Sequence, residues 1–260
     1  MLLEGKKIIV TGGVTGIGKA TVLGMAREGA QVVSMSRGTP DEDRVVAVVD
    51  AANALGKGPI SHLQLDVTDQ TAVNSAFARA IETMGGLDAL VNSAGLEHQC
   101  PAEDLTAEPM LEQFSVHVLG TAFTNAAAFH HYKDVGGGTI INYASYAGVC
   151  GMPGMASYSA AKGGVIAYTR TVAKDWAPHK VRVNVVCPGV MTELAQFWLD
   201  EMDTARRAQI DAWQAATIPF GGKLGDVEDA ANLNIFLASD MSKFIHGQTI
   251  AVDGGMMMSR

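Results

Sequence analysis

The sequence has few cysteines, and the three it has do not form a disulfide or zinc motif. Cys100, Cys150 and Cys187 lie far apart in the chain and are odd in number. Paired spacings such as Cys-x-x-Cys, which are typical of zinc sites and redox centres, are absent. We therefore expect neither a metal site nor a disulfide framework, and we expect a reducing compartment.

Positive charge is also scarce, because 19 lysine and arginine residues stand against 27 aspartate and glutamate residues, for a net charge of -8. No run of basic residues offsets this balance, so neither nucleic acid nor an anionic membrane is an expected partner. No apolar run is long enough to span a bilayer, and the first residues lack the apolar segment of a signal peptide. These absences predict a soluble, cytoplasmic protein.

What the sequence does have is a high hydrophobic content, 48% of 260 residues, which is enough for a large buried core. Strand patterns alternate with helical patterns along its whole length, which predicts a parallel sheet with crossover helices. We therefore predict an α/β fold of the Rossmann type over residues 1–260, a single domain with a doubly wound parallel β-sheet between two helical layers. The predicted strands are 6–10, 31–35, 61–65, 87–91, 139–143, 181–186 and 249–252.

A glycine-rich turn follows the first predicted strand and predicts a phosphate-binding loop. Residues 11–18 read Thr-Gly-Gly-Val-Thr-Gly-Ile-Gly, and residues 19–28 have the pattern of an amphipathic helix. Glycines let the backbone approach a ligand closely, and the helix N-terminus offers free N–H groups. The spacing only approximates the commoner dinucleotide fingerprint, and an ordinary glycine-rich turn is the alternative. The flanking strand and helix favour a nucleotide site.

The residues that end the second strand bear on which dinucleotide binds. An acidic residue there, about twenty residues past the glycine loop, binds the ribose hydroxyls of NAD. This sequence has Ser36 and Arg37 instead. A neutral side chain does not repel a 2′-phosphate and a guanidinium binds one, so NADP(H) is favoured. NAD(H) is possible if Arg37 is only a solvated loop residue, and the acids at 41–43 could weaken the preference.

Two further strand ends carry candidate ligand-binding residues. Asp66 and Val67 follow the third strand, where a short acid could meet the adenine, although Asp66 could equally be a turn residue or a helix cap. Asn92-Ser93-Ala94-Gly95 follows the fourth strand with small residues. Because open α/β sheets bind ligands at the carboxyl ends of their strands, both segments are predicted to line the nucleotide site.

Tyr158 and Lys162 are the candidates for acid/base chemistry. They lie four residues apart in a segment with a helical pattern, which puts both side chains on one face. A free tyrosine has a pKa of about 10, and a nearby ammonium group lowers it by favouring the phenolate. The pair therefore suits proton transfer at a carbonyl or alcohol oxygen, although surface pairs share this spacing. Ser145, after the fifth strand, could hold that oxygen or could be only a turn residue.

Jointly, these motifs resemble the classical short-chain dehydrogenases/reductases. The resemblance covers essentially the whole chain, and it rests on segments that occur in the family's order: residues 11–18, Asn92-Ser93-Ala94-Gly95, Ser145, Tyr158-x-x-x-Lys162, Asn184, Pro188-Gly189 and Val252-Asp253-Gly254-Gly255. The family usually has a second asparagine where this chain has Ser93, which is a mild departure.

The resemblance implies an NAD(P)-dependent oxidoreductase that interconverts a ketone and a secondary alcohol. It implies that Tyr158 is the acid/base, that Ser145 polarises the substrate oxygen, and that Lys162 lowers the tyrosine pKa and binds the nicotinamide ribose. A homotetramer is expected on the same ground. The cofactor-binding residues it implies are Gly12, Thr15, Gly16, Ile17, Gly18, Ser36, Arg37, Asp66, Val67, Asn92, Ala94, Gly95, Tyr158, Lys162, Pro188, Gly189, Val190 and Thr192.

Two other functions remain open at this point. One is a 3-oxoacyl thioester reductase of the same family. The other is a non-catalytic, cofactor-binding regulator that kept the fold, against which the complete set of Ser145, Tyr158 and Lys162 argues.

His117, inside a helix predicted over residues 111–129, is a larger departure, because the family commonly has an asparagine in the corresponding place. That asparagine is thought to anchor a water in a proton relay that runs through the lysine. A histidine also hydrogen-bonds water and titrates near neutral pH. We therefore hypothesise that His117 is a catalytic residue of the relay, with a structural histidine satisfied inside its helix as the alternative.

Residues 190–218 are predicted to cover the substrate, as the resemblance implies for this part of the chain. Their apolar and aromatic side chains suit a mobile lid over a small, apolar ketone or alcohol. A helix pair that simply packs on the body is the alternative. The side chains concerned are Leu194, Phe197, Trp198, Leu199, Met202 and Trp213.

Overall fold

The computed structural model describes residues 1–258 and contains a seven-stranded parallel sheet with an additional two-stranded pair. Two residues of the predicted 1–260 domain, Ser259 and Arg260, lie outside the described residues. The strands are β1 (Lys7–Thr11), β2 (Gln31–Ser36), β3 (Ile60–Gln64), β4 (Ala89–Asn92), β5 (Gly138–Tyr143), β6 (Val181–Pro188), β7 (Val190–Met191), β8 (Gly225–Asp226) and β9 (Thr249–Val252).

The strand order of the large sheet is β3-β2-β1-β4-β5-β6-β9, and all neighbouring pairs are parallel. The order reverses between β1 and β4, as in a doubly wound sheet, so the predicted Rossmann-type α/β fold is confirmed. Crevices at such reversal points are where these sheets bind ligands. The helices are α1 (Gly16–Arg27), α2 (Asp43–Leu55), α3 (Gln70–Met84), α4 (Ala107–Gln113), α5 (Gly120–Val135), α6 (Tyr146–Cys150), α7 (Ala156–Trp176), α8 (Glu193–Asp200), α9 (Thr204–Thr217) and α10 (Val227–Ala238).

The core has two layers, one on each face of the sheet, because neighbouring residues of a strand point to opposite faces. Ile8 and Val10 of β1 pack with side chains of α1, α2 and α10, whereas Ile9 packs with side chains of α3, α5 and α7. All three are fully buried, and each such side chain contributes about 1.5–3 kcal/mol of transfer free energy. The buried strands thus hold their carboxyl ends as a rigid edge.

The structure differs from the sequence predictions in two places that matter for the site. Strand β6 extends past the predicted end at 186, because Cys187 and Pro188 pair with Ala251 and Val252 of β9. The predicted helix at 111–129 belongs to a longer one that begins at Ala107 and includes a π-helical turn, Phe114–Leu119. His117 lies in this turn.

A buried polar network holds the middle strands to the helices behind the site. The Asn92 Nδ2 group donates to Oδ1 of Asn125 (2.6 Å) and to Oδ1 of Asn142 (2.9 Å), and Asn142 Nδ2 donates to Thr169 Oγ1 (2.9 Å). Buried networks of this kind fix the relative positions of their elements when they are well satisfied. The network therefore sets α5 and α7 against β4 and β5.

No helix in the described part of the chain has both the length and the apolar character that crossing a bilayer requires.

Candidate active site

Two loops meet where the strand order reverses, and a glycine is needed at their contact. Gly12 has a φ of 68°, and a Cβ atom there would lie 2.8 Å from the Ala94 Cα atom. The Ala94 N–H group also donates to Thr11 Oγ1 at 3.3 Å. A side chain at position 12 would thus force the β1 and β4 loops apart.

The glycine loop makes two more contacts, and the one at Gly18 leaves no room for a side chain. A Cβ atom on Gly18 would collide with the carbonyl oxygen of Gly12, and one on Gly16 would lie 3.7 Å from the Thr192 side chain. The N-terminus of α1 therefore lies beside the turn that follows β7. This arrangement leaves the first N–H groups of α1 available to an anionic ligand.

A cleft of about 650 Å³ opens beside these loops. Its lining includes eight of the predicted cofactor-binding residues, namely Gly12, Thr15, Ser36, Arg37, Asp66, Val67, Ala94 and Gly95. It also includes residues that the sequence did not single out, among them Arg44, Thr68, Glu112, Ser115 and Phe123. Arg44 is the one that the sequence could have indicated, because a second arginine close to Arg37 could bind the same phosphate.

Other predicted cofactor residues lie near this cleft without lining it. Asn92 points into the buried network rather than toward the cleft. Thr192 is the N-cap of α8, where its hydroxyl accepts from the Ala195 N–H group at 3.1 Å. Gly189 lies against Asp253, and its N–H group donates to the Val252 carbonyl at 2.7 Å. Asn184, part of the family pattern, donates to the Ile245 carbonyl at 2.9 Å.

Ser145, Tyr158 and Lys162 are brought together at the ends of β5 and β6. The Lys162 ammonium donates to the Tyr143 carbonyl at 3.0 Å and lies 5.6 Å from the centre of the Tyr158 ring. Ser145 is the N-cap of α6, and its Oγ atom accepts from the Ala147 N–H group at 3.2 Å. That bond occupies a lone pair and leaves the hydroxyl proton free for another acceptor.

The electrostatics of this cluster are governed by burial. Burial, and after it the negative charge of Glu97, raises the pKa of Tyr158 above its usual value, while Ser145 acts in the opposite direction. Burial also lowers the pKa of Lys162 to about 8, although Cys187 opposes this. The expectation that Lys162 lowers the tyrosine pKa stays a prediction, and desolvation of the phenolate is the largest influence on this pKa in the structure. Tyr158 carries its proton at neutral pH.

His117 lies against this cluster from the side of the π-helical turn. Its ring meets that of Tyr158 edge to face, with centroids 5.4 Å apart, and Nε2 lies 2.7 Å from the Leu96 carbonyl oxygen. A carbonyl only accepts, so the proton of the neutral ring is on Nε2 and Nδ1 is an acceptor. Among residues 1–258, the buried Nδ1 atom has no hydrogen-bond partner.

The charge state of His117 follows from the same surroundings. Burial, followed by the positive charge of Lys162, lowers the pKa of His117 to about 3. The ring is therefore neutral near pH 7, and a relay through it would use hydrogen bonding rather than a change of charge. Gly95 provides the space, since a Cβ atom there would lie 2.8 Å from His117 Cε1.

Helix α9 contacts the residue next to Ser145, and α8 contacts α1. Trp213 of α9 meets Tyr146, the residue after Ser145, with ring centroids 6.3 Å apart. Glu193 at the start of α8 forms an ion pair with Lys19 of α1 at 2.9 Å. Apolar side chains of the segment remain exposed, including Leu194, Phe197 and Trp198.

A second cavity of similar volume, about 630 Å³, lies at the opposite ends of the strands. Two of its cations are bound within the protein: Lys6 pairs with Asp240 at 3.0 Å, and Arg182 donates to Thr139 Oγ1 and to two backbone carbonyls. None of the predicted site residues lines it. Within the described residues, no group of three His, Cys, Asp or Glu side chains could hold a metal ion.

Comparison with known proteins gives consistent matches over nearly the whole chain. Residues 12–257 match a family model described as Enoyl-(Acyl carrier protein) reductase. The 2-(S)-hydroxypropyl-CoM dehydrogenase 3 of Xanthobacter autotrophicus is 37% identical over 98% of this chain and 97% of its own length. The 3-oxoacyl-(acyl-carrier-protein) reductase FabG of Thermotoga maritima is 33% identical over 99% and 100%. A short-chain type dehydrogenase/reductase from Mycobacterium ulcerans superposes with a TM-score of 0.90 at 27% identity, over 100% of this chain and 92% of that one.

Proposed function

The chain belongs to the short-chain dehydrogenase/reductase family, and from this membership we propose that it interconverts a ketone and a secondary alcohol with NADP(H), Tyr158 acting as the acid/base. The observation that carries the proposal is the convergence of Ser145, Tyr158 and Lys162 beside a cleft of about 650 Å³. These residues would bind the substrate and the cofactor and would transfer the proton. The bound cofactor supplies or accepts the hydride.

The residues present fit a nicotinamide dinucleotide. The contact between Gly12 and Ala94 leaves backbone, not side chains, facing the phosphates, and the N-terminus of α1 favours their charge. Asp66 and Val67 line the cleft and would hold the adenine. Thr192 and Pro188-Gly189 would hold the nicotinamide end.

The proton is moved by Tyr158. The phenol holds its proton at neutral pH, because its pKa lies above neutrality, and it would donate that proton to a carbonyl oxygen as negative charge develops there. The free hydroxyl proton of Ser145 would bind the same oxygen and stabilise the charge that develops there. In the oxidative direction, a positively charged nicotinamide ring near Tyr158 would lower the pKa and permit proton removal.

Lys162 and His117 would return the proton to Tyr158. Lys162 is buried, held by the Tyr143 carbonyl, and has a pKa of about 8, so it still carries a proton near neutral pH. A water between the ammonium and the acceptor Nδ1 atom of His117 would satisfy both groups. This is the hydrogen-bonding form of the relay, and the neutral ring suits it.

The preference for NADP(H) rests on charge at the ribose end of the cleft. Arg37 and Arg44 both line it, and the place of the usual acid is taken by Ser36. The nearby Glu42 forms an ion pair with Arg44, which partly cancels its repulsion of a phosphate. These groups favour a 2′-phosphate over a free hydroxyl.

A 3-oxoacyl thioester reductase is the second candidate. It is favoured by the activity named for the Thermotoga maritima relative, whereas the matching family model names an enoyl reductase that also acts on acyl-carrier-protein thioesters. The aromatic contact between Tyr146 and Trp213, and a segment 190–218 that would close over the substrate, fit a small apolar ketone better.

The assembly is proposed to be a homotetramer, which light scattering of the purified protein would test.

The experiment is a fluorescence titration with NADPH and with NADH, followed by turnover of a panel of simple ketones, secondary alcohols and 3-oxoacyl thioesters. Tighter NADPH binding with turnover of apolar ketones would support the proposal. Tighter NADH binding would overturn only the proposed preference for NADP(H). Turnover restricted to thioesters would favour the second candidate, and cofactor binding without any turnover would overturn the proposed activity.

A further inference from the structure

The turn that carries Arg37 is held by side chains of the neighbouring strand. In the parallel pairing of β2 and β3, Ser34 lies opposite His62 and Ser36 lies opposite Gln64. Gln64 Nε2 donates to the Arg37 carbonyl at 2.9 Å, and His62 Nε2 lies 3.1 Å from the Gly38 carbonyl oxygen. The two carbonyls that follow Ser36 are thus both bound by β3.

Two further contacts complete the restraint. The Gly38 N–H group donates to Ser36 Oγ at 3.2 Å, and the Leu65 N–H group donates to the Ser36 carbonyl at 2.7 Å. The backbone on either side of Arg37 is therefore fixed, although the guanidinium itself is exposed.

The protonation of His62 follows from its partners. A carbonyl only accepts, so the neutral ring carries its proton on Nε2, and Nδ1 accepts from the Ser34 hydroxyl at 3.4 Å. The ring is buried, and burial lowers its pKa, while the Gly38 carbonyl and Glu42 act in the other direction. His62 is thus a neutral hydrogen-bonding brace beneath the turn.

We propose that His62 and Gln64 are positioning residues for cofactor selection, which hold the 36–38 turn so that Arg37 meets the 2′-phosphate of NADP(H). The proposal rests on the proposed NADP(H) preference. An arginine on a loose turn loses conformational entropy when it binds, whereas a fixed backbone removes part of that cost before the cofactor arrives. Neither side chain is expected to touch the cofactor.

The test measures dissociation constants for NADPH and NADH by fluorescence. His62→Leu removes the hydrogen bond to the Gly38 carbonyl while keeping a side chain of similar volume. Gln64→Ala removes the hydrogen bond to the Arg37 carbonyl at an exposed position, where the change does not threaten folding. Each is expected to weaken NADPH binding about 3- to 10-fold, as loss of one hydrogen bond does, while NADH binding changes less than about twofold. His62→Gln, which keeps a donor for the Gly38 carbonyl, should restore the preference. Ser61→Ala, exposed on the same strand, is the control.

A double-mutant cycle with Arg37→Ala separates this inference from the cofactor preference itself. If Arg37 binds the 2′-phosphate, and His62 and Gln64 act only by positioning Arg37, then Gln64→Ala and His62→Leu no longer weaken NADPH binding in the Arg37→Ala background. An unchanged NADPH-to-NADH ratio in Arg37→Ala would overturn the proposed preference. A normal effect of Arg37→Ala with no effect of either β3 variant, or equal losses for both cofactors, would overturn the positioning role alone.

Discussion

On the β1–β3 side of the carboxyl edge the polar side chains are paired with the backbone, whereas on the β4–β6 side important ones are not. Ser36, His62 and Gln64 all bind the 36–38 turn. On the other side, within residues 1–258, the buried Nδ1 atom of His117 and Oγ atom of Ser159 have no hydrogen-bond partner. Within the same residues, Lys162 is buried, forms no ion pair with a carboxylate and donates to the Tyr143 carbonyl.

This difference fits the tasks proposed for the two regions, cofactor binding on one side and proton transfer on the other. A site that only binds gains from groups that are already held in place, because less entropy is lost when the ligand arrives. A site that moves a proton needs donors and acceptors that are still free for substrate and water, and it needs shifted pKa values. Such groups cost stability, and a rigid neighbouring region allows the fold to tolerate them.

The largest effect is expected for Tyr158→Phe, which tests the proton-transfer region because it removes the proton donor and keeps the ring. We expect kcat to fall by about two to four powers of ten, with little change in the NADPH dissociation constant. Tyr168→Phe, on the same helix and bound weakly to the Ala122 carbonyl at 3.5 Å, is the matched control and should stay within about twofold. Near-normal turnover of Tyr158→Phe would contradict the mechanism.

Lys162→Met tests whether the catalytic side gives up stability for activity. The pKa of Lys162 in the folded protein, about 8, lies below the ordinary lysine value of about 10.5. Between about pH 8 and 10.5 the folded protein therefore binds fewer protons than the unfolded chain. The buried charge therefore opposes folding fully below about pH 8, and this penalty fades as pH rises toward about 10.5. We expect kcat to fall about 100-fold while Tm at neutral pH is unchanged or higher. A large drop in Tm would show instead that the charge stabilises the fold.

Gly12→Ala tests the binding side. The φ of 68° and the 2.8 Å approach to Ala94 leave no room for a methyl group, so the two loops must separate. We expect binding of both NADPH and NADH to weaken about 10- to 100-fold, since such strain costs of the order of 1–3 kcal/mol. Gly136→Ala, with φ of 84° and no atom within 4 Å of the added Cβ, is the control. It should lower stability without changing either dissociation constant.

The regions also differ in how much the sequence could predict. The parallel sheet, the glycine loop and the Tyr158–Lys162 helix follow from local patterns, because strand period, glycine spacing and helix period are written within a few residues. The raised pKa of Tyr158 and the neutral state of His117 depend on burial, which no local pattern contains. The same holds for the hydrogen bonds of Gln64 and His62 to the 36–38 turn, which require the register of β2 and β3.

His117 allows a sharper test of the catalytic side through its pH dependence. Because its pKa is about 3, the ring has no ionisation between about pH 5 and 8, so replacing it should not reshape the rate profile in that range. We expect His117→Leu, which removes the Nδ1 acceptor, to lower kcat about 10-fold. His117→Asn keeps an amide acceptor and should lose about threefold or less. If His117→Leu were fully active, the relay would be contradicted, and a lost inflection near neutral pH would contradict the neutral ring.

The smallest expected effect concerns the lid contact between Tyr146 and Trp213, whose ring centroids are 6.3 Å apart. Edge-to-face aromatic pairs contribute about 0.5–1.5 kcal/mol, so Trp213→Leu should raise KM for an apolar ketone about 2- to 10-fold with kcat nearly unchanged. Tyr146→Leu should do the same, and the double variant should add little because both changes remove one contact. Tyr146→Phe keeps the ring and is the control. If KM were unchanged in Trp213→Leu, α9 would only pack on the body, and the binding side alone would set the affinity of the enzyme for its ligands.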